Sequence, residues 1–409
     1  MTTDPLDDAV ARQYQQWVYP EPILNLPAWL VDNWQWFDPS HSHTVMWPDR
    51  AYTPGMDILV AGCGANQAAV IAATNPGARV VGIDVSEASL DHQRHLKDVN
   101  ALGNLELMRM PIEQVGDLGR DFDLIMTTGV LHHMADPVAG MTALGGCLRP
   151  DGVLAVMLYA HYGRLGVEML AGAFADMGLQ QDEQSLQVVK EAIALLPDDH
   201  PLRAYIDIAP DLAFDAGVVD TFLHGRQRSY TVDDCLDLVG SAGLVFQDWF
   251  LRSPYWPRAA QGSAFDEAVA QLPDERQWAV MERINSRNAC HFFLACRPDR
   301  PEATYRVDFT SPRFGEYVPS LRYRCALEGM QLQRPGWSVD LEPAQEALVA
   351  RVDGRNTMHQ VISGAASDAV LRNVGRDDLE QFARELFQSL WRLDILAIEL
   401  PAAGDAQAT

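Results

Sequence analysis

The sequence of 409 residues predicts an α/β fold built on an open, mainly parallel sheet, and three features of one stretch support this. A short apolar run at 58–61 leads into the glycine turn Gly62-Cys63-Gly64, and a helix of small residues follows at 67–74. A second apolar run at 79–83 ends on the single acid Asp84. A strand, a glycine loop, a helix, a second strand and an acid are typical of half of a Rossmann-like nucleotide-binding unit.

The residues of this stretch suit a cofactor that carries a ribose but no phosphate. Gly62 and Gly64 can adopt positive φ and let a ligand approach the backbone. The carboxylate of Asp84 can accept hydrogen bonds from both ribose hydroxyls. A dinucleotide-binding loop needs a third glycine, and Gln67 stands at that position, which disfavours NAD. S-adenosylmethionine has a ribose and an amino-acid tail without a phosphate, so it fits the pattern better.

The other strands and helices of the sheet follow in order along the chain. Apolar runs predict further strands at 105–108, 122–127, 153–158, 244–251 and 291–296. Helices are predicted at 7–18, 87–100, 136–147 and 231–243. Because ligands bind at the carboxyl ends of parallel strands, we expect Gly62, Asp84, Pro111 and Gly129 to converge, although they are far apart in sequence.

Four short motifs occur in a fixed order along the chain. They are Gly62-Cys63-Gly64, Gly82-Ile83-Asp84-Val85-Ser86, Gly129–Pro137 and Leu148-Arg149-Pro150-Asp151-Gly152. In this order they resemble class I S-adenosylmethionine-dependent methyltransferases over residues 58–297. The pairs Gln13-Tyr14 and Tyr19-Pro20 resemble a bacterial branch of that family, some of whose members act on proteins. The resemblance implies a seven-stranded sheet with the last strand antiparallel and inserted between its neighbours.

The chain departs from the family's pattern at two places. Val60 and Ala61 stand where an acid is usual before the loop, which weakens the expected grip on the methionine end of the cofactor. Pro111 stands where an acid is usual after the third strand, which weakens the expected contact to adenine.

The resemblance also implies which residues bind the cofactor and which face the methyl acceptor. The expected cofactor-binding residues are Tyr14, Tyr19, Ala61, Gly62, Cys63, Gly64, Gln67, Asp84, Val85, Pro111, Ile112, Thr128 and Gly129. The expected catalytic residues are His132, His133 and Tyr159, which follow strand ends. An alternative for the two histidines is that one packs in the core and the other caps a helix. No metal site is expected, because adjacent histidines cannot share a helix face and no third ligand has a fixed spacing.

Composition divides the chain into five predicted segments. Residues 1–52 are rich in aromatic residues and proline and predict either a lid over the cofactor or a cap on the core. The cofactor-binding core is predicted at 53–163, a helical insertion that builds the substrate pocket at 164–230, and the end of the core at 231–299. Residues 300–409 predict a small helical, winged-helix-like domain, with helices at 343–352, 357–363 and 377–391.

The net charge of −25 argues against a nucleic-acid partner, because binding a phosphate backbone needs a basic face. The six cysteines form no C-x-x-C pair, the N-terminus has no apolar leader, and no run is long enough to span a bilayer. These features predict a cytoplasmic enzyme without a membrane partner, which could form a homodimer.

The sequence therefore predicts methyl transfer from S-adenosylmethionine to a nitrogen or oxygen of a side chain or a small molecule. The large insertion and the additional C-terminal domain favour a protein or peptide substrate. Two alternatives stay open. One is a non-catalytic S-adenosylmethionine-binding protein with a regulatory or scaffolding role, suggested by the missing acid before the loop. The other is a nicotinamide oxidoreductase, which Gln67 disfavours.

Overall fold

A computed structural model of the chain describes residue 6, residues 9–257 and residues 263–401. The chain divides into two compact units. The first comprises Met1–Phe37, Pro54–Trp249 and Ala268–Asp299, and the second comprises Asp38–Thr53, Phe250–Glu267 and Arg300–Thr409. No helix in the described part of the chain is long and apolar enough to cross a lipid bilayer.

Helices and strands alternate through most of the chain. The α-helices are α1 (Ala9–Gln16), α2 (Leu26–Asp32), α3 (Pro39–Met46), α4 (Gln67–Thr74), α5 (Glu87–Val99), α6 (Pro137–Gly146), α7 (Leu165–Asp176), α8 (Glu183–Ala194), α9 (Leu202–Ile206), α10 (Asp215–Phe222), α11 (Val232–Ser241), α12 (Ala264–Ala270), α13 (Asp274–Ile284), α14 (Pro343–Val349), α15 (Met358–Ala365) and α16 (Arg376–Arg392). The strands are β1 (Asp57–Ala61), β2 (Arg79–Asp84), β3 (Leu105–Arg109), β4 (Phe122–Thr128), β5 (Leu148–Tyr159), β6 (Val245–Trp249), β7 (Cys290–Cys296), β8 (Val318–Leu321), β9 (Ala326–Glu328), β10 (Gln331–Arg334), β11 (Trp337–Asp340) and β12 (Leu396–Glu399).

Seven strands of the first unit form one sheet in the order β3-β2-β1-β4-β5-β7-β6. The strands β1 to β5 are parallel, and β7 pairs antiparallel with both β5 and β6. The predicted seven-stranded, Rossmann-like sheet with its last strand inserted between its neighbours is therefore confirmed. Residues 58–61 of β1 are fully buried, as expected for a central parallel strand covered on both faces.

Two predicted boundaries differ from the observed elements. Strand β5 begins at Leu148 rather than at 153, so it also contains residues 149–152 of the fourth motif. The pairing of β4 with β5 is irregular at this point, and such irregularities tolerate Pro150, which has no N–H to donate. The N-terminal helix covers 9–16 of the predicted 7–18, and residues 7 and 8 lie outside the described residues.

The second unit contains the three predicted C-terminal helices, as α14, α15 and α16, packed around one apolar core. It also contains a three-stranded sheet, β11-β10-β9, and a two-stranded sheet, β12-β8, which were not predicted. These strands have only three or four residues each, too few for a periodic pattern to identify them. The second unit also includes residues 38–53 and 250–267. The division of the chain into five segments stays a prediction.

A buried carboxyl group in α13 makes the stability of the first unit depend on pH. Glu282 is 3% exposed, its Oε2 accepts a hydrogen bond from the backbone N–H of Val232 at 3.0 Å, and burial raises its pKa to about 7. The unfolded chain binds this proton only below about pH 4.3. Between these two pKa values the folded state holds more protons, so the free energy of unfolding falls as the pH rises through this window.

We therefore expect Glu282→Gln to stabilise the protein by about 1–2 kcal/mol at pH 8 and to have little effect at pH 4.5. Glutamine keeps an oxygen that can accept the Val232 N–H but carries no charge to bury. Urea unfolding at the two pH values measures the difference. Glu275→Gln, on the exposed part of the same helix, is the matched control and should show no such pH dependence. An equal effect of Glu282→Gln at both pH values would contradict the assignment.

Candidate active site

A cavity of about 1000 Å³ lies in the first unit at the carboxyl ends of β1, β2, β3 and β4, where the strand order reverses. Of the predicted site residues, those that line it are Tyr14, Tyr19, Gly62, Cys63, Gly64, Gln67, Asp84, Val85, Pro111, Ile112, Thr128, Gly129, His133 and Tyr159. Ala61 and His132 do not line it, because both are buried within the core. The predicted convergence of the four strand ends is therefore observed.

The glycine loop after β1 is shaped by the chain's own side chains. Gly62 and Gly64 have φ of +72° and +52°, where residues other than glycine are strained. A Cβ on Gly62 would lie 2.4 Å from Cγ2 of Val130, and one on Gly64 would lie 3.0 Å from Cδ of Pro20. Glycine is therefore required here because Val130 and Pro20 pack against the loop. The sequence analysis had attributed the two glycines only to the approach of a ligand.

Asp84, at the end of β2, both lines the cavity and fixes this loop. Its Oδ2 accepts a hydrogen bond from the N–H of Gly64 at 2.8 Å, and its Oδ1 accepts one from the N–H of Ser86 at 2.8 Å. Burial raises the pKa of this carboxyl, and the two backbone hydrogen bonds oppose that rise. Each carboxylate oxygen retains a second lone pair, so Asp84 can accept further hydrogen bonds from a ligand.

Polar groups lie near both positions where the family's usual acids are missing. After β3, Glu113 lines the cavity two residues beyond Pro111. Next to the glycine loop, Glu21, Gln35 and Asn66 line it. Two exposed acids, Glu21 and Glu113, therefore line the cavity, and neither stands at a position that the family's pattern would indicate.

The N-terminal segment forms one wall of the cavity and is attached to the insertion by two tyrosine hydroxyls. Tyr14 donates to Oδ1 of Asp220 at 2.8 Å, and Tyr19 donates to Oδ2 of Asp211 at 3.1 Å. Ser86, which follows β2, donates through Oγ to the carbonyl of Tyr14 at 3.1 Å. Residues 14–19 therefore connect the cofactor side of the cavity to the insertion.

The two adjacent histidines after β4 have different environments. His132 is 1% exposed, its ring stacks on Tyr159 with centroids 3.8 Å apart, and its Nδ1 accepts the Tyr159 backbone N–H at 3.3 Å. His133 lines the cavity and donates from Nδ1 to the carbonyl of Arg226 at 2.9 Å. This contact places the proton of neutral His133 on Nδ1 and leaves Nε2 with a lone pair.

Burial lowers the pKa of His133, against the opposing effects of the Asp220 charge and the Arg226 carbonyl. Its imidazole is therefore neutral near pH 7. Its Nε2 is buried and makes no hydrogen bond to the described residues. His133 thus lines the cavity with the protonation state of a proton acceptor, and its Nε2 must become exposed to meet a ligand there.

The wall opposite the cofactor side is aromatic with one carboxylate. Tyr205 and Phe214 line it, together with Tyr159 and Asp211. Burial raises the pKa of Asp211, and the hydrogen bond from the Tyr19 hydroxyl opposes that rise. Beneath this wall the guanidinium of Arg164 lies 3.6 Å from the centroid of the Tyr159 ring.

The sequence analysis missed several residues that either line the cavity or contact residues that line it. They are Gln93, Glu113, Asp211, Asp220 and His224. Gln93 is fully buried in α5 and donates to the carbonyls of Cys63 and Gly64 at 3.0 and 2.8 Å. A signal was present for Asp220, because an acid within the apolar stretch of α10 must be buried and paired. The other four occur in stretches where a polar residue is unremarkable.

Comparisons with known proteins agree with this geometry. A family described as a methyltransferase domain matches residues 59–154. An uncharacterized protein from a Synechococcus strain is 28% identical over 72% of this chain and 73% of its own length. A tRNA 5-carboxymethoxyuridine methyltransferase from Escherichia coli is 32% identical over 29% of this chain. The chain spans 45% of that enzyme's length, so the likeness concerns the shared domain.

A solved structure shares the fold over most of the chain. PKMT2 from Rickettsia typhi, in complex with AdoHcy, superimposes with a TM-score of 0.65 at 14% identity, covering 89% of this chain and 76% of that one. The matched domain, the strand order and the cavity at the strand ends favour a methyltransferase over an oxidoreductase. The chain therefore contains a methyltransferase domain of the class I, S-adenosylmethionine-dependent type, and its cofactor is S-adenosylmethionine.

Proposed function

We propose that this chain transfers the methyl group of S-adenosylmethionine to an amine nitrogen of a protein or peptide side chain. The observation that carries the proposal is the half-buried carboxylate of Asp211 in the aromatic wall of the cavity. An ammonium group with an aliphatic stem supplies the positive charge that this carboxylate lacks, and aromatic faces attract the same cation.

The charge of the whole cavity supports a cationic acceptor. Among the described residues that line it, the carboxylates are Glu21, Asp84, Glu113, Asp136 and Asp211, against one guanidinium, that of Arg226. The cavity volume of about 1000 Å³ is at the upper end of the range for small-molecule sites, so it has room for the cofactor and an acceptor side chain. A nucleic-acid acceptor is disfavoured by the net charge of −25.

The proposed reaction is an in-line displacement at the methyl carbon. The amine lone pair forms a bond to the methyl carbon while the carbon–sulfur bond breaks, and its electron pair stays on sulfur, which gives S-adenosylhomocysteine. The amine must first lose a proton, because an ammonium has no lone pair. We assign this proton to Nε2 of His133, and we assign to Asp211 the binding of the incoming ammonium.

The cofactor-binding roles predicted for the lining residues are part of the same proposal. Asp84 is proposed to bind the ribose hydroxyls, Pro111 and Ile112 to flank the adenine, and Glu113 to approach its amino group. Tyr14 and Tyr19 are proposed to cover the cofactor. His132 and Tyr159 are proposed to act through packing, since the Tyr159 hydroxyl already donates to Oδ2 of Asp220 at 3.2 Å.

The proposal includes two further properties, the compartment and the oligomeric state. All six cysteines are free thiols, four of them buried, which favours a reducing compartment such as the cytoplasm. The expectation of a homodimer also remains a proposal, which light scattering of the purified chain tests.

Labelled S-adenosylmethionine tests the acceptor class directly. We expect label to enter peptides that contain lysine, and to be absent when lysine is replaced by glutamine. If only small molecules were labelled, the proposed protein or peptide acceptor would be wrong. If the label were on an oxygen atom, the proposed amine acceptor would be wrong. Binding of S-adenosylhomocysteine without label in any acceptor would favour the non-catalytic alternative.

A further inference from the structure

We propose that His133, Asp220 and His224 form a binding site for one divalent transition-metal ion of the zinc class. One ligand atom from each of the three residues lies within 4.8 Å of those of the other two. The three residues come from separate elements: His133 follows β4, Asp220 lies in α10, and His224 follows the end of that helix. The expectation of no metal site rested on the lack of a third ligand at a fixed sequence spacing, whereas the fold brings two candidate ligands from residues 164–230 to His133.

Both imidazoles present a buried nitrogen that the rest of the chain does not use. The Nε2 atoms of His133 and His224 are screened from solvent and make no hydrogen bond to the residues that the structure describes. The two rings stack with centroids 3.8 Å apart and planes inclined by 19°, so one ring must rotate before both Nε2 atoms can bind one ion in their ring planes. Buried polar atoms are rarely left without a partner, and a metal ion beside Asp220 would give both nitrogens one.

The contacts around the three ligands resemble the outer contacts that orient metal ligands. His133 donates from Nδ1 to the Arg226 carbonyl at 2.9 Å, which leaves its Nε2 as a lone pair. The carboxylate of Asp220 accepts the hydroxyls of Tyr14 and Tyr159 at 2.8 and 3.2 Å. Such outer hydrogen bonds fix the orientation of histidine and carboxylate ligands.

His224 must change its protonation to bind a metal. Its Nδ1 accepts the N–H of Arg226 at 3.0 Å, which places the ring proton on Nε2. Binding at Nε2 moves that proton to Nδ1 and breaks this one hydrogen bond. The three ligand atoms must also approach one another. Ligands about 2.1 Å from zinc lie about 3.4 Å apart, so a separation of 4.8 Å closes by about 1.4 Å.

The donor set selects the class of ion. Two imidazoles and one carboxylate suit Zn²⁺, Co²⁺ or Ni²⁺, whereas Mg²⁺ and Ca²⁺ prefer oxygen ligands alone. Because His133 lines the cavity, a fourth coordination position could open toward it. A metal on Nε2 of His133 would occupy the lone pair assigned above to proton transfer, so the loaded site would inhibit methyl transfer. Metal binding itself does not depend on the proposed function.

Metal titration of the full chain after chelator treatment tests the proposal without any activity measurement. Calorimetry with ZnCl₂ should show one equivalent bound, and CoCl₂ should give the visible absorption bands of a low-coordinate Co²⁺ site. His224→Gln and, independently, Asp220→Asn should weaken Zn²⁺ binding by about 100-fold or more. His95→Gln, at an exposed histidine of α5, is the control for surface binding and should bind Zn²⁺ as the wild type does.

Each variant is first checked for S-adenosylhomocysteine binding, which His224→Gln should retain because His224 does not line the cavity. The proposal is overturned if the wild type binds no stoichiometric Zn²⁺, or if folded His224→Gln binds it unchanged. It is also overturned if only His95→Gln loses the ion. Absence of methyl transfer by the metal-free protein, in a sample that still binds Zn²⁺ when it is added, would reject the proposed acceptor chemistry and leave the metal site standing.

Discussion

Asp84→Ala is expected to weaken the binding of S-adenosylhomocysteine by about 100-fold or more. The substitution removes the proposed acceptor of two ribose hydroxyls, each hydrogen bond to a charged group contributing about 1.5–3 kcal/mol. It also frees the N–H groups of Gly64 and Ser86, which the carboxylate holds at 2.8 Å each. Calorimetry with purified protein measures the dissociation constant.

Two comparisons isolate the role of this carboxylate. Asp84→Asn keeps one oxygen acceptor and the shape of the side chain, so its affinity should lie between those of the wild type and the alanine variant. Asp98→Ala, at an exposed position of α5, should bind as the wild type does. If Asp84→Ala folded and bound the ligand with unchanged affinity, the cofactor would have to lie elsewhere in the cavity.

Asp211→Asn is expected to lower kcat/KM for the peptide acceptor by about 100- to 1000-fold while S-adenosylhomocysteine binding changes less than about threefold. Removing one partner of a buried charge pair costs about 3–5 kcal/mol, and here the acceptor ammonium would be the other partner. Asparagine retains an oxygen that can accept the Tyr19 hydroxyl, so the wall of the cavity should keep its shape. Initial rates with labelled cofactor measure the effect.

The neighbouring acid Asp207 provides the matched control for this experiment. It is exposed, lies four residues before Asp211, and does not line the cavity. Asp207→Asn should therefore leave kcat/KM within about twofold of the wild type. A similar loss in both variants would indicate a general effect of charge on the acceptor, and an unchanged rate in Asp211→Asn would reject the proposed role of this carboxylate.

The sheet and the cofactor side of the site were predictable because their signals are local. Buried parallel strands are nearly continuous apolar runs, and the turn after β1 requires positive φ at Gly62 and Gly64, so both leave a mark in a few consecutive residues. Asp84 is recognisable because it ends such a run. The same reasoning placed α4 at its observed bounds, Gln67–Thr74.

The acceptor side was not predictable because its residues meet only through tertiary contacts. Asp211 and Asp220 lie in an insertion whose helices carry no fixed motif, and their partners Tyr19 and Tyr14 are about two hundred residues away. His132 and His133 are adjacent in sequence, yet one packs beneath Tyr159 while the other lines the cavity. The short helix Leu131–His133 after β4 turns the two side chains in different directions. Sequence spacing alone does not predict this difference.

The excess of carboxylates around the cavity has a consequence for turnover. S-adenosylmethionine carries one net positive charge, and the demethylated product carries none, because the sulfonium becomes a neutral thioether. The cavity is lined by five acidic residues and one arginine. Its negative potential therefore attracts S-adenosylmethionine more strongly than S-adenosylhomocysteine. The electrostatic part of this discrimination weakens as added salt shortens the screening length, so product inhibition should become more severe at high ionic strength.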